Sequence, residues 1–138
     1  MVNTRYVVYV QPAKENLEAL DGSLESTIRS KCESFLDAWR PSDVFEKPVA
    51  GPVKQIKKNR TVMRAFGAHW SGSDTDILLV IAIYKKGSER SFWRRKDDFQ
   101  STAEDYFEVL DRLDEDGQIQ EWISRAKTSD DFLVYGID

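Results

Sequence analysis

Cysteine and histidine occur once each, as Cys32 and His69. A single cysteine cannot close a disulfide within the chain, so stability has to come from a core. The expected place for Cys32 is the apolar side of a helix in a reducing compartment. One histidine and one cysteine leave too few ligands for a zinc site of the common types, and neither a metal nor another cofactor is expected. Glycine is sparse and forms no phosphate-cradling loop. A G-x-S-x-G nucleophile elbow is missing, and Ser71-Gly72-Ser73-Asp74 has the composition of a hairpin turn. The longest apolar run, residues 77–84, falls far short of the roughly 20 residues that cross a bilayer, and Met1 to Tyr6 carry no apolar segment behind a basic tip. The expectation is a soluble cytoplasmic protein without membrane contact, and 138 residues make one domain, 1–138.

Positive charge is also scarce outside one stretch. Residues 47–96 carry twelve Lys/Arg against three acids, a local balance of +9, whereas the remainder of the chain sums to −13 and the whole to −4. A basic middle between acidic ends can present one positive face to a polyanion even though the net charge is negative.

Apolar periodicity places the elements. Residues 5–11 are β-branched and aromatic and read as a strand that Pro12 ends. Residues 14–20 form a short helix broken at Asp21-Gly22, and Leu24, Ile28, Cys32, Phe35, Leu36 and Trp39 make one continuous helical stripe. Residues 41–59, with Pro41, Pro48, Gly51 and Pro52, read as a loop ending in a basic turn. Two strands over 61–70 and 76–84 follow, the second apolar on both faces. Phe99, Ala103, Tyr106, Phe107, Leu110 and Leu113 define a long helix whose other face is acidic, before a short helix near 119–126 and an extended 132–135. The predicted order is β-α-α-β-β-α-α-β. That is an α+β fold in which an N-terminal two-helix hairpin and C-terminal helices pack on a small, mostly antiparallel sheet.

The chemistry available is cationic. Cleaving RNA by attack of a ribose 2′-hydroxyl requires that hydroxyl to lose its proton, the phosphorane charge to be neutralised and the leaving 5′-oxygen to be protonated. Lys54, Lys57, Lys58, Arg60, Arg64, Lys85, Lys86, Arg94 and Arg95 offer charge stabilisation from two stretches that neighbouring strands would join, and His69, Lys57 or Tyr84 could move protons. Arg64 stands out because it lies inside a strand between apolar neighbours. Each feature has a plainer counterpart. Lys54 to Arg60 reads equally as a solvated loop, Arg94 to Lys96 as partners of the next helix's acids, Arg64 as facing a carboxylate, and His69 as structural. Trp70 and Trp93 either stack on bases or cap the edge of the core.

The opening strand Tyr6 to Val10, the turn at Asp21-Gly22, Lys54 to Lys58, the strand Val62 to Phe66 and Ile81 to Lys86 together resemble RelE/HigB-type toxins of toxin–antitoxin systems, over roughly residues 5–110. The resemblance implies a RelE-like fold whose basic concave sheet face holds messenger RNA on the ribosome, a cognate antitoxin as protein partner, and a metal-independent endoribonuclease. Lys54, Lys57 and Lys58 match the lysines before the sheet, Arg64 the strand arginine at the scissile phosphate, and Lys85-Lys86 the Lys-Lys closing the last core strand. The chain departs from the family at Ser91-Phe92, where a Thr-Pro is usual, in its acidic final helix, and in residues 117–138, a C-terminal extension beyond the family core. Two further readings stand beside the toxin: a relative on the same fold that binds partners without cutting RNA, and an unrelated small α+β interaction protein.

Overall fold

The computed structural model describes residues 3–38, 40–57, 63–88 and 90–136. Residues 77–83, apolar throughout, need shelter on both sides, and they form the middle of β5 (Thr75–Lys85). β4 (Met63–Ser71) runs antiparallel along one side of β5 and β1 (Thr4–Tyr9) parallel along the other. With β2 (Phe45–Ala50), β3 (Val53–Ile56) and β6 (Leu133–Gly136) the described residues make a six-stranded sheet in the order β2-β3-β4-β5-β1-β6. All pairs other than β1–β5 are antiparallel, so the fold is α+β with a mostly antiparallel open sheet.

Alternation along the strands feeds two apolar layers. Val7, Tyr9, Ala65, Leu78 and Val80 face α1 (Ala13–Glu18) and α2 (Gly22–Glu33), packing on Leu17, Ile28, Cys32 and Phe35. Val8, Phe66, Ala68, Leu79 and Ile81 face α3 (Arg90–Arg94), α4 (Lys96–Glu115) and α5 (Ile119–Thr128), packing on Phe92, Phe99, Leu110 and Ile123. Each such fully buried large side chain contributes about 1.5–3 kcal/mol. α2 starts where it does because the Asp21 carboxylate accepts the Ser23 and Leu24 backbone N–H groups, both at 3.0 Å. Its stripe runs on through a 3₁₀ turn, Ser34–Leu36, while Trp39 lies outside the described residues. No helix among the described residues is long and apolar enough to cross a membrane.

One irregularity in β5 decides which way its end faces. Phe66 pairs with Ala82 but Gly67 with Val80, leaving Ile81 as an extra residue, so Ile81 and Ala82 both turn to the α3–α5 layer. Beyond this bulge the alternation is inverted, and Tyr84 joins the α3–α5 layer. Opposite the bulge, a Cβ on Gly67 would sit 2.4 Å from the Leu79 carbonyl oxygen, so only glycine fits.

Two expectations are corrected. Residues 41–57 are not a loop: a 3₁₀ turn, Pro41–Asp43, leads into the β2–β3 hairpin. Pro48 is tolerated because β2 is the edge strand, and register shifts on both sides of Lys47-Pro48 erase the alternation that would have revealed it. Nor does the sheet offer an open concave face, since helices cover both sides. The short helix and extended segment expected near 119–126 and 132–135 are α5 and β6, and β6 pairs with β1.

Candidate nucleic-acid interface

β4 begins beside the end of β5, with Met63 opposite Lys85 and Arg64 opposite Tyr84. β3 ends near the same level: Gln55 pairs with Phe66, and Lys57 follows the last residue of β3, its backbone N–H donating to the Val44 carbonyl at 2.8 Å. The chain then turns at Gly87, whose φ of 92° suits glycine, and enters α3. Lys57, Arg64, Tyr84, Lys85, Lys86, Arg94 and Arg95 therefore gather at one end of the sheet, where Lys57, Lys85, Lys86, Arg94 and Arg95 are exposed.

The floor of this end is aromatic. Phe92 stacks on Phe66 with centroids 3.7 Å apart and on Phe99 at 5.2 Å, the ring planes nearly parallel in both cases. Tyr84 meets Phe66 and Phe92 edge-on at 6.4 and 6.2 Å. Burial against these rings raises the Tyr84 hydroxyl above its ordinary pKa, and the nearby Arg95 guanidinium partly opposes the shift. Arg64 is only 7% exposed, and its Nη1 donates to the Met63 carbonyl at 2.9 Å. Arg95 lies 5.0 Å from the Phe99 ring and 3.8 Å from Asp98, an exposed pair that does little to cancel its charge.

Other sequence candidates lie elsewhere. Lys54 points to the opposite face, its Nζ 5.4 Å over the Phe45 ring, and pairs with Gly67 rather than near Arg64. His69 follows Arg64 by five residues in β4, a separation of about 17 Å at 3.4 Å per residue. Its Nε2 is 3.1 Å from the Asp76 Oδ1, and its ring is 5.5 Å from Phe35. Lys58 and Arg60 lie outside the described residues. Cys32 is fully buried and its thiol is pushed up to about 12 by desolvation, which keeps it protonated and unreactive at neutral pH. Among the described residues no group of three or more His, Cys, Asp or Glu side chains is placed to hold a metal ion.

The acidic helix runs away from the cations. α4 starts at Lys96 beside the basic end and finishes over the β4–β5 turn, where Asp111 accepts the Trp70 Nε1–H at 2.8 Å and Asp114 accepts from the Ser73 backbone N–H and Oγ at 3.0 and 2.8 Å. Asp97 and Asp98 stay in the first turn beside the basic end, while Asp111 and Asp114 lie at the opposite end of the sheet.

Trp93, expected from the sequence to stack on bases or cap the core edge, takes a defined place together with two residues to which the sequence assigns no role, Lys47 and Arg5. Trp93 projects from α3 with 42% of its surface exposed, and Lys47 of β2 holds its Nζ 5.9 Å from the Trp93 ring. The hidden β2 strand concealed that pairing. Arg5 donates through Nη1 to the Phe35 carbonyl at 2.9 Å and to that of Ala38, closing the turn after α2, while its buried Nε has no partner among the described residues.

The fold and this end define an α+β protein with a cationic pole set on an aromatic floor. Compared with known proteins, the chain matches no protein-family model, no curated protein and no solved structure.

Proposed function

We propose that the chain is the toxin of a toxin–antitoxin pair, with a RelE-like fold built on an N-terminal two-helix hairpin, and that its basic end holds single-stranded messenger RNA for metal-independent cleavage. The observation that carries the reading is the convergence of cations from the ends of β3 and β5 and from α3 on one end of the sheet, with Asp111 and Asp114 of α4 held at the other. An RNA strand crossing this end meets Lys57, Lys85, Lys86, Arg94 and Arg95 at the surface, and these stabilise the charge that builds on the phosphorane. Arg64 contributes from beneath, through the field its buried guanidinium adds. Tyr84, a phenol that carries its proton at neutral pH and lies under this surface, is the group placed to donate a proton to the leaving 5′-oxygen. Lys57 acts there as charge alone, and the 2′-hydroxyl proton leaves to solvent water. His69, at the far end of β4, has no part in the chemistry. A cognate antitoxin would neutralise the toxin by covering the same cations.

A translation extract programmed with a defined message tests this. The wild-type protein should truncate the message only while ribosomes engage it. Lys85→Ala/Lys86→Ala, a change at two exposed positions, should cut the rate at least tenfold, and Tyr84→Phe should lower it by about 10²–10⁴ if the phenol is the general acid. Intact message with wild-type protein that still binds RNA would leave a non-catalytic binding module. Equal truncation by wild type and the double lysine variant would overturn the proposal.

A further inference from the structure

We infer that Trp93 is a stacking platform for a base of the single-stranded RNA whose backbone lies on the basic end, an inference that rests on the RNA reading above. α3 turns Phe92 inward, where it is fully buried between Phe66 and Phe99, and Trp93 outward. The indole stands edge-on to Phe92, at 5.7 Å and 77°, so a rigid aromatic column fixes its plane. Trp93 and Val109 are the large apolar side chains left exposed among the described residues, at 42% and 45%, and their surroundings differ in sign. Val109 lies on α4 beside Asp105 and Glu108. Trp93 is followed at once by Arg94, Arg95 and Lys96, with Arg90 one turn before it and the Lys47 ammonium 5.9 Å from its ring.

An exposed ring among cations suits a ligand that pairs a flat π-surface with a phosphate, which is what each nucleotide of an unpaired strand offers. A protein partner would need its own acidic surface around a pocket for the ring. An RNA strand needs only to continue past Lys85 and Lys86 onto α3. Stacking of this kind tolerates any base, so Trp93 would add affinity without selecting a sequence.

The test uses labelled octanucleotides carrying 2′-O-methyl groups, which block cleavage. One bears uracil at every position and the other is abasic throughout, and binding is followed by fluorescence anisotropy. Trp93→Ala should weaken the uracil strand about 5- to 150-fold and leave the abasic strand unchanged, while Trp93→Phe should keep most of the affinity. An unchanged thermal melt of Trp93→Ala would verify that the fold is intact. Equal affinity of wild type and Trp93→Ala for the uracil strand would refute the platform while the backbone reading stands. An equal loss on both strands would refute it also, since Trp93 would then act through the shape of α3. Failure of the wild-type protein to bind either strand would remove the RNA reading, and this inference with it.

Discussion

Raising the salt concentration should weaken RNA binding along a line whose slope the structure sets. Lys57, Lys85, Lys86, Arg94 and Arg95 are exposed at the basic end, and Arg64, at 7% exposure, is left out of the count because it cannot meet a phosphate directly. For a single strand each neutralised phosphate contributes about −0.7 to the slope of log K against log salt, so five contacts give about −3.5. A fourfold rise, from about 50 to about 200 mM, then costs about 100-fold in affinity. Replacing Lys85 and Lys86 by alanine removes two contacts, reduces the slope to about −2.1, and cuts the cost of the same rise to about 20-fold. Arg112→Ala serves as the control: Arg112 is exposed on the acidic helix, paired with Glu108, and its loss should leave the slope unchanged. Anisotropy titrations with the uracil octanucleotide over this salt range give all three slopes. A wild-type slope near zero, or a double variant with the wild-type slope, would refute the claim that these cations grip a phosphate chain.

Phe92 is fully buried in the column beneath the basic end, so Phe92→Ala should destabilise the protein by about 3–5 kcal/mol, read as a lowered urea midpoint. A shift worth under about 1 kcal/mol would mean that the column does not hold α3 in place. Cys32 predicts a pH dependence. Its thiol titrates near 12 in the folded chain against 9.0 when free, chiefly through burial, so above pH 9 the unfolded chain releases this proton while the folded chain keeps it. The contribution is complete below pH 9 and is lost as pH rises toward 12, and denaturant titrations should show stability falling across that window, with a shallower fall in Cys32→Ala. Tyr9, also raised by burial, leaves part of the fall in place.

Where an element carries its own apolar period, the sequence alone located it. β1, β4 and β5 were legible because each is buried enough to be almost continuously apolar or aromatic, and α2 and α4 because their stripes persist over several turns. The excess of positive charge in residues 47–96 was equally plain. What the linear order could not hold is anything set by partners distant along the chain. β2 is not legible in the sequence because an edge strand tolerates Pro48 and irregular register, and both destroy the alternation that marks a strand. The bulge at Ile81 turns Tyr84 toward the α3–α5 layer, and nothing in residues 75–85 announces an extra residue that only the pairing with β4 defines. His69 and Arg64 share a strand, yet strand rise alone separates them by about 17 Å. Composition fixed how much positive charge the chain carries. Antiparallel pairing of β3, β4 and β5 decided that much of it meets at one end, because strands that start where their neighbours stop bring residues far apart in sequence to the same level of the sheet.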